Sequence, residues 1–118
     1  MIFPARSAVV NLAELDPTRC PCGWARRAFG GLPDAPASLH LVEIEEDARA
    51  HYHRTHTEVY YILECGPAGA VELDGAAVPV QPGAAVYIPP GVRHRAVGRM
   101  RILNFVVPPF DPADEWFD

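Results

Sequence analysis

Thirteen prolines and nine glycines punctuate 118 residues at short intervals. Proline lacks an amide donor and breaks helix interiors, and glycine weakens them. The stretches between are rich in Val, Ile, Leu, Tyr and Phe, and none repeats apolar residues at a helical period over ten or more positions. The pattern predicts an all-β sandwich or barrel of short strands joined by tight turns. Strands are expected at 6–12, 23–29, 38–45, 49–53, 58–64, 69–73, 76–80, 84–88, 92–97 and 101–107. Asp74-Gly75 reads as a tight hairpin turn. Pro79 lies inside a strand and should sit on an edge or at a bulge. Residues 111–116 suit one helical turn, with Asp111 as N-cap and Pro112 at the first helical position. Neither repeat nor linker interrupts the chain, so residues 1–118 are expected to form one domain.

Composition narrows the function classes. Hydrophobic residues make up 49% of the chain, enough for a core. The net charge is −5, all ten basic residues are Arg, and no basic run or face stands out. Nucleic acid and anionic lipid are therefore not expected partners. No apolar run is long enough for a membrane span, and the N-terminal stretch lacks the pattern of a signal peptide. The expected location is the cytoplasm. Cys20, Cys22 and Cys65 are an odd number without a secretion signal, so reduced thiols are expected. Cys20-Pro21-Cys22 looks like a metal hook, but a zinc site needs two further ligands and only Cys65 remains. A disulfide across one intervening residue would be strained.

Chemistry concentrates in HYHRTHTE, residues 51–58. His51 and His53 stand two apart, so on a strand both imidazoles face one side and can reach one ion. Glu58 begins the next strand and could return beside them across a short corner. On local spacing alone, a metal site and an exposed histidine-rich strand end are equally good readings. A second stretch, GAAVYIPPGVRHRAVG at 83–98, places a sharp turn at Pro89-Pro90-Gly91 and His94 early on the next strand. Were that strand paired with the one carrying His51 and His53, His94 would be a fourth ligand. His56 is expected to be an exposed polar residue of the corner. His40 shares a face with Val42 and Ile44, as a core or pocket-wall histidine would.

Further candidates surround this set. Tyr60 shares the face of Glu58 and could orient a substrate or donate a proton; a packed barrel aromatic is the alternative. Asn104 interrupts the apolar strand RILNFVV, either lining a pocket or solvated outside. Of the adjacent Arg26 and Arg27, one should face inward, where it would suit a carboxylate or phosphate substrate. Arg26 is taken as that residue, with surface charge as the alternative. Arg93 and Arg95 should face away from His94. Phe110, Trp116 and Phe117 should pack onto the barrel or onto a second subunit.

These motifs resemble those of the cupin superfamily. Its first motif, in outline G-x5-H-x-H-x3–4-E-x6-G, is matched by His51, His53 and Glu58. Glu45 and Cys65 stand where the two glycines would fall. Its second motif, G-x5-P-x-G-x2-H-x3-N, is matched at Gly83, Pro89, Gly91 and His94, with Gly98 in place of Asn. The resemblance implies an antiparallel jelly-roll barrel with one metal ion inside near its open end, held by His51, His53, Glu58 and His94. Three imidazoles and a carboxylate suit Fe, Mn, Ni or Zn. It further implies a metal-dependent enzyme on a small organic molecule, of dioxygenase-like or sugar-isomerase-like type, with lyase chemistry also represented, and a homodimer. The alternative is a metal-dependent small-ligand binding or sensing module without turnover.

Overall fold

The computed structural model describes residues 7–46 and 48–118. Nine antiparallel strands and two single 3-10 turns form it, and no α-helix occurs among the described residues. The strands are β1 (Thr18–Cys20), β2 (Gly23–Ala28), β3 (Ser38–Ile44), β4 (Thr57–Cys65), β5 (Ala70–Leu73), β6 (Ala76–Pro79), β7 (Ala85–Ile88), β8 (His94–Val97) and β9 (Met100–Val107). A six-stranded sheet in the order β1-β2-β3-β9-β4-β7 faces a three-stranded sheet in the order β6-β5-β8. This is a jelly-roll barrel: the all-β pattern predicts a sandwich or barrel, and the cupin resemblance implies the jelly roll. No helix among the described residues is long and apolar enough to cross a membrane.

Local chemistry explains the turns. Asp74 and Gly75 both take positive φ, +50° and +84°, and join β5 to β6 with Leu73 opposite Ala76. Positive φ at both central residues is the twist a two-residue hairpin needs. Pro79 ends β6, an edge strand, where a missing donor costs no sheet bond. The C-terminal turn spans Pro112–Asp114, and the Asp111 side chain caps it by accepting from the Ala113 amide at 3.0 Å.

Two expected strands are absent. Of the expected strand 6–12, Arg6 lies outside the described residues, and 7–11 has no sheet partner. The Asn11 side chain instead accepts from the Ala13 amide and caps a 3-10 turn at Leu12–Glu14, leaving Val9 and Val10 exposed. Residues 49–53 do not form a strand either. Their sheet-type pairing is limited to two single bridges, His51 to His94 and Tyr52 to Trp116. Conversely β1 was not expected; its three residues between Pro17 and Pro21 are too short to show a period.

Register sorts the inner face of the large sheet into rungs, roughly 7 Å apart because side chains alternate along a strand. The deepest described rungs are apolar: Gly23, Ile44 and Met100, then Ala25, Val42, Ile102 and Ile62. These form the core together with Val71 and Ala96 of the small sheet. The next rung is polar, running Arg27, His40, Asn104 and Tyr60 across four adjacent strands. One rung further lies Glu58, between Val106 and Ile88. The barrel interior thus changes from apolar to ionisable along the strand direction. Burying that polar rung has a cost. His40 is 2% exposed, and burial first, then the charge of Arg27, lowers its pKa to about 4.

Two outcomes follow from this packing. Gly23 holds φ +141°, and a Cβ there would lie 2.2 Å from the Glu43 carbonyl oxygen, a backbone atom that cannot swing aside. Gly23→Ala should lower stability by about 2 kcal/mol or more in denaturant titration. His40 binds its proton in the unfolded chain near pH 6.5 but in the fold only near 4. Stability is therefore retained above pH 6.5 and falls as pH drops through that window, by up to roughly 3 kcal/mol from this group. In chelator-treated protein, His40→Gln should flatten the decline between pH 6.5 and 4; an unchanged slope would remove His40 as its source.

Candidate metal centre

The two motifs meet through the backbone. The His51 amide donates to the His94 carbonyl at 3.1 Å, and the His94 amide donates to the His51 carbonyl at 2.8 Å. The Gly91 amide, in the Pro-Pro-Gly turn, donates to the His53 carbonyl at 2.7 Å. These bonds set His51, His53 and His94 side by side, 6%, 2% and 1% exposed. One ligand atom from each lies within 4.8 Å of the others, a spacing that could hold a metal ion.

Backbone carbonyls also choose the tautomer. Nδ1 of His51 lies 2.9 Å from the Arg49 carbonyl, Nδ1 of His53 2.7 Å from that of Asp114, and Nδ1 of His94 2.9 Å from that of Val92. A carbonyl oxygen only accepts, so each Nδ1 is the donor. The neutral rings then present bare Nε2 lone pairs inward, the orientation metal-binding histidines need.

Glu58 faces two of them. Its Oε1 is 3.1 Å from His53 Nε2 and its Oε2 is 3.1 Å from His94 Nε2. Neither Nε2 nor Oε2 completes a hydrogen bond. Lone pairs crowded around a buried carboxylate repel one another unless a proton or a cation lies among them. In the protein alone a proton does part of this work. Burial lowers the His53 pKa, but Glu58 outweighs it and the net shift is upward. Burial raises that of Glu58, but the facing His53 and His94 rings outweigh it and hold the carboxyl well below its usual range. His51 is lowered to about 4, by burial and then by His94, and stays neutral.

The C-terminal segment fixes the corner that carries these ligands. The Asp114 carboxylate accepts from the amides of Arg54 and Thr55 at 2.9 Å each, from that of His56 at 3.2 Å, and from Thr55 Oγ1 and Trp116 Nε1. Burial alone would raise its pKa; the bonds from Thr55, Arg54 and Trp116 outweigh this and lower it strongly. Phe110, Trp116 and Phe117 pack onto this same barrel, under the guanidinium groups of Arg27, Arg54 and Arg49 respectively. Covered in this way, His56 is not the exposed corner residue expected. It is 2% exposed, and its Nε2 accepts from the Asp111 amide at 3.2 Å. With His53 and Asp114 it forms a second group of ligand-type atoms. Arg93 donates to the Phe117 carbonyl, and Arg95 pairs with Glu72.

Beside the imidazoles lies a narrow cavity with about 30 Å³ of room for the centre of a water-sized sphere. Tyr60 and Asn104 both line it. Tyr60 is buried, its ring centroid 6.1 Å from that of His94, and burial followed by the Glu58 charge raises its hydroxyl pKa well above 10. Asn104 Oδ1 is buried without a hydrogen-bond partner. Arg26 is not on the wall. It shares the outer face with Trp24, donates to the Leu15 carbonyl and pairs with Glu43 at 3.0 Å. Arg27 is the inward residue, because Ala25 and Arg27 alternate with Trp24 and Arg26 along β2. Glu115 also lines the cavity, and its pKa is raised, by burial first. Nothing in the acidic run DPADEW singles it out; only the folding back of the tail does.

The thiols differ from expectation too. Cys20 and Cys22 form a disulfide at one end of the cavity wall, and Cys65 is free. The tight β1–β2 turn, with Cys20 opposite Gly23, brings their Cα atoms to 5.2 Å, within the range a bridge spans.

Comparison with known proteins agrees with the motifs. A solved structure of a protein from Planctomyces limnophilus is 47% identical, with a TM-score of 0.91, over 96% of this chain and 98% of that one. Pac13 of Streptomyces, described as a nucleoside dehydratase, is 21% identical with a TM-score of 0.76, over 92% and 88% of the two chains, and shares the fold. The uncharacterized protein MJ1618 of Methanocaldococcus jannaschii is 33% identical over 78 residues, which are 63% of this chain. The match spans 61% of that protein's length. The family model for the cupin domain matches residues 39–104, which include all three inward imidazoles and Glu58. The chain belongs to the cupin family.

Proposed function

We propose that this protein is a metal-dependent enzyme that moves protons on a small organic molecule, as an isomerase or lyase. The supporting observation is that two protonatable groups, Glu115 and Tyr60, share one cavity wall with Glu58 and with His51 of the imidazole cluster. The donor set fits a divalent transition metal, Fe, Mn, Ni or Zn: bare Nε2 lone pairs on His51, His53 and His94 converge beside the Glu58 carboxylate. When bound there, such an ion supplies Lewis acidity toward a substrate oxygen.

The chain's own residues handle the rest. Glu115, shifted upward chiefly by burial, is a carboxyl group able both to take and to return a proton. Tyr60 stays protonated and can donate to a developing oxygen charge. The apolar rungs below exclude water from the inner end of the cavity. Of the chemistries the family resemblance left open, proton transfer is the one these groups serve. Dioxygenase-like chemistry would need neither of them.

Protein purified without added metal should contain about one ion per chain. His94→Ala should reduce that content by about tenfold or more, and His56→Ala far less; equal losses would refute the ligand set. The reaction class is tested in D₂O with sugars and short hydroxy and oxo acids. The metal-loaded protein should exchange a substrate C–H, visible by proton NMR, and Glu115→Gln should slow this by about 10²-fold or more. Oxygen consumption without exchange would shift the assignment to a dioxygenase. Binding with neither would support the non-enzymatic module.

A further inference from the structure

Arg27 is the least satisfied charged group of the interior. Its Nε is buried without a hydrogen-bond partner, and its guanidinium carbon lies 4.1 Å from the centre of the Phe110 ring. Burial lowers its pKa; Glu115 acts in the opposite direction. Yet among the described residues no carboxylate makes ion-pair contact with it, whereas Arg26 pairs with Glu43 and Arg95 with Glu72. A cation kept half-desolvated and unpaired is costly unless something else completes it. Phe110 holds the guanidinium in place without using its donors.

The surroundings define what that partner is. Arg27 begins the polar rung that continues through His40, Asn104 and Tyr60, one rung from Glu58. Asn104 Oδ1 on that rung also lacks a partner. We propose that the cavity takes a small organic acid, whose carboxylate is bound by Arg27 while its other oxygen substituents lie along the rung toward the imidazoles. The planar fork of a guanidinium matches a carboxylate in a bidentate pair. A phosphate dianion suits the site less. It would bring two charges against one cation, with Glu58 and Glu115 lining the same cavity. Ala25, Val42 and Ile102 supply an apolar wall against which the hydrocarbon part of a short acid would pack. This inference rests on the metal-dependent reading above for the orientation of the ligand, not for the role of Arg27.

Binding supplies the test. Metal-loaded protein is titrated calorimetrically with short-chain 2-hydroxy and 2-oxo acids, their primary amides and inorganic phosphate, with metal content measured on each sample. The best acid should bind about tenfold or more tightly than its own amide and than phosphate. Arg27→Gln should abolish that preference with metal content unchanged. Arg27→Lys should restore part of it, and Arg26→Gln should leave it intact. The ¹⁵N resonance of the Arg27 Nε–H group should shift on adding the acid, which a purely structural role would not produce. Equal binding of acid and amide, tighter binding of phosphate, or acid binding that survives Arg27→Gln would overturn the proposal. Protein that takes up no metal but still binds acids through Arg27 would refute the metal-dependent reading and leave this one standing.

Discussion

The double backbone bond between His51 and His94 is the contact on which the site depends. It is a single bridge, outside any continuous strand on the His51 side. Yet it brings together the two segments that carry the imidazoles. Residues 49–53 have no continuous ladder to hold them, so their backbone relies on few bonds: this pair, the Arg49 amide on the Pro21 carbonyl, the Gly91 amide on the His53 carbonyl, and the Tyr52–Trp116 pair. A histidine pair on a regular strand would be held by its neighbours on both sides. Here the constraint is concentrated at the ligands themselves, which makes their spacing sensitive to each of these bonds.

That concentration explains the C-terminal segment. Asp114 meets three consecutive amides of the corner after His53, and its own carbonyl accepts a hydrogen bond from His53 Nδ1–H. One residue thus closes the loop backbone and fixes the tautomer of a candidate ligand. The same segment carries Glu115 into the cavity and lays Phe110 beneath Arg27. The tail is therefore part of the site in three ways at once: it braces the loop, orients an imidazole, and contributes a wall.

Legibility in the sequence follows the range of the interaction. The strands from 38 onward are announced by local apolar runs, although their partners are distant, and the Asp74-Gly75 turn and the capped turn at Asp111 arise from neighbours in the chain. His51, His53, Glu58 and His94 stand out because fixed spacing within two short motifs encodes them. His56 and Glu115 do not, because residues far along the chain bury them. His56 is a loop residue until Asp111 and Asp114 arrive. The disulfide depended on a strand too short to register, since only the β1–β2 pairing brings Cys20 and Cys22 into range.

Arg26 and Arg27 show why alternation alone is insufficient. Parity along a strand says that the two face opposite ways, but not which way. Placing the large apolar Trp24 inside would carry Arg26 inward with it. The structure does the reverse: Trp24 lies outside, 38% exposed and covered by Arg19, while small Ala25 occupies the interior. Gly23 fits this arrangement. A Cβ on it would meet the Glu43 carbonyl oxygen at 2.2 Å, so glycine is what allows this close approach of β2 to β3 in the observed register. In the register that this glycine permits, Arg27, three strands from Tyr60 on the same rung, is the cation inside the barrel.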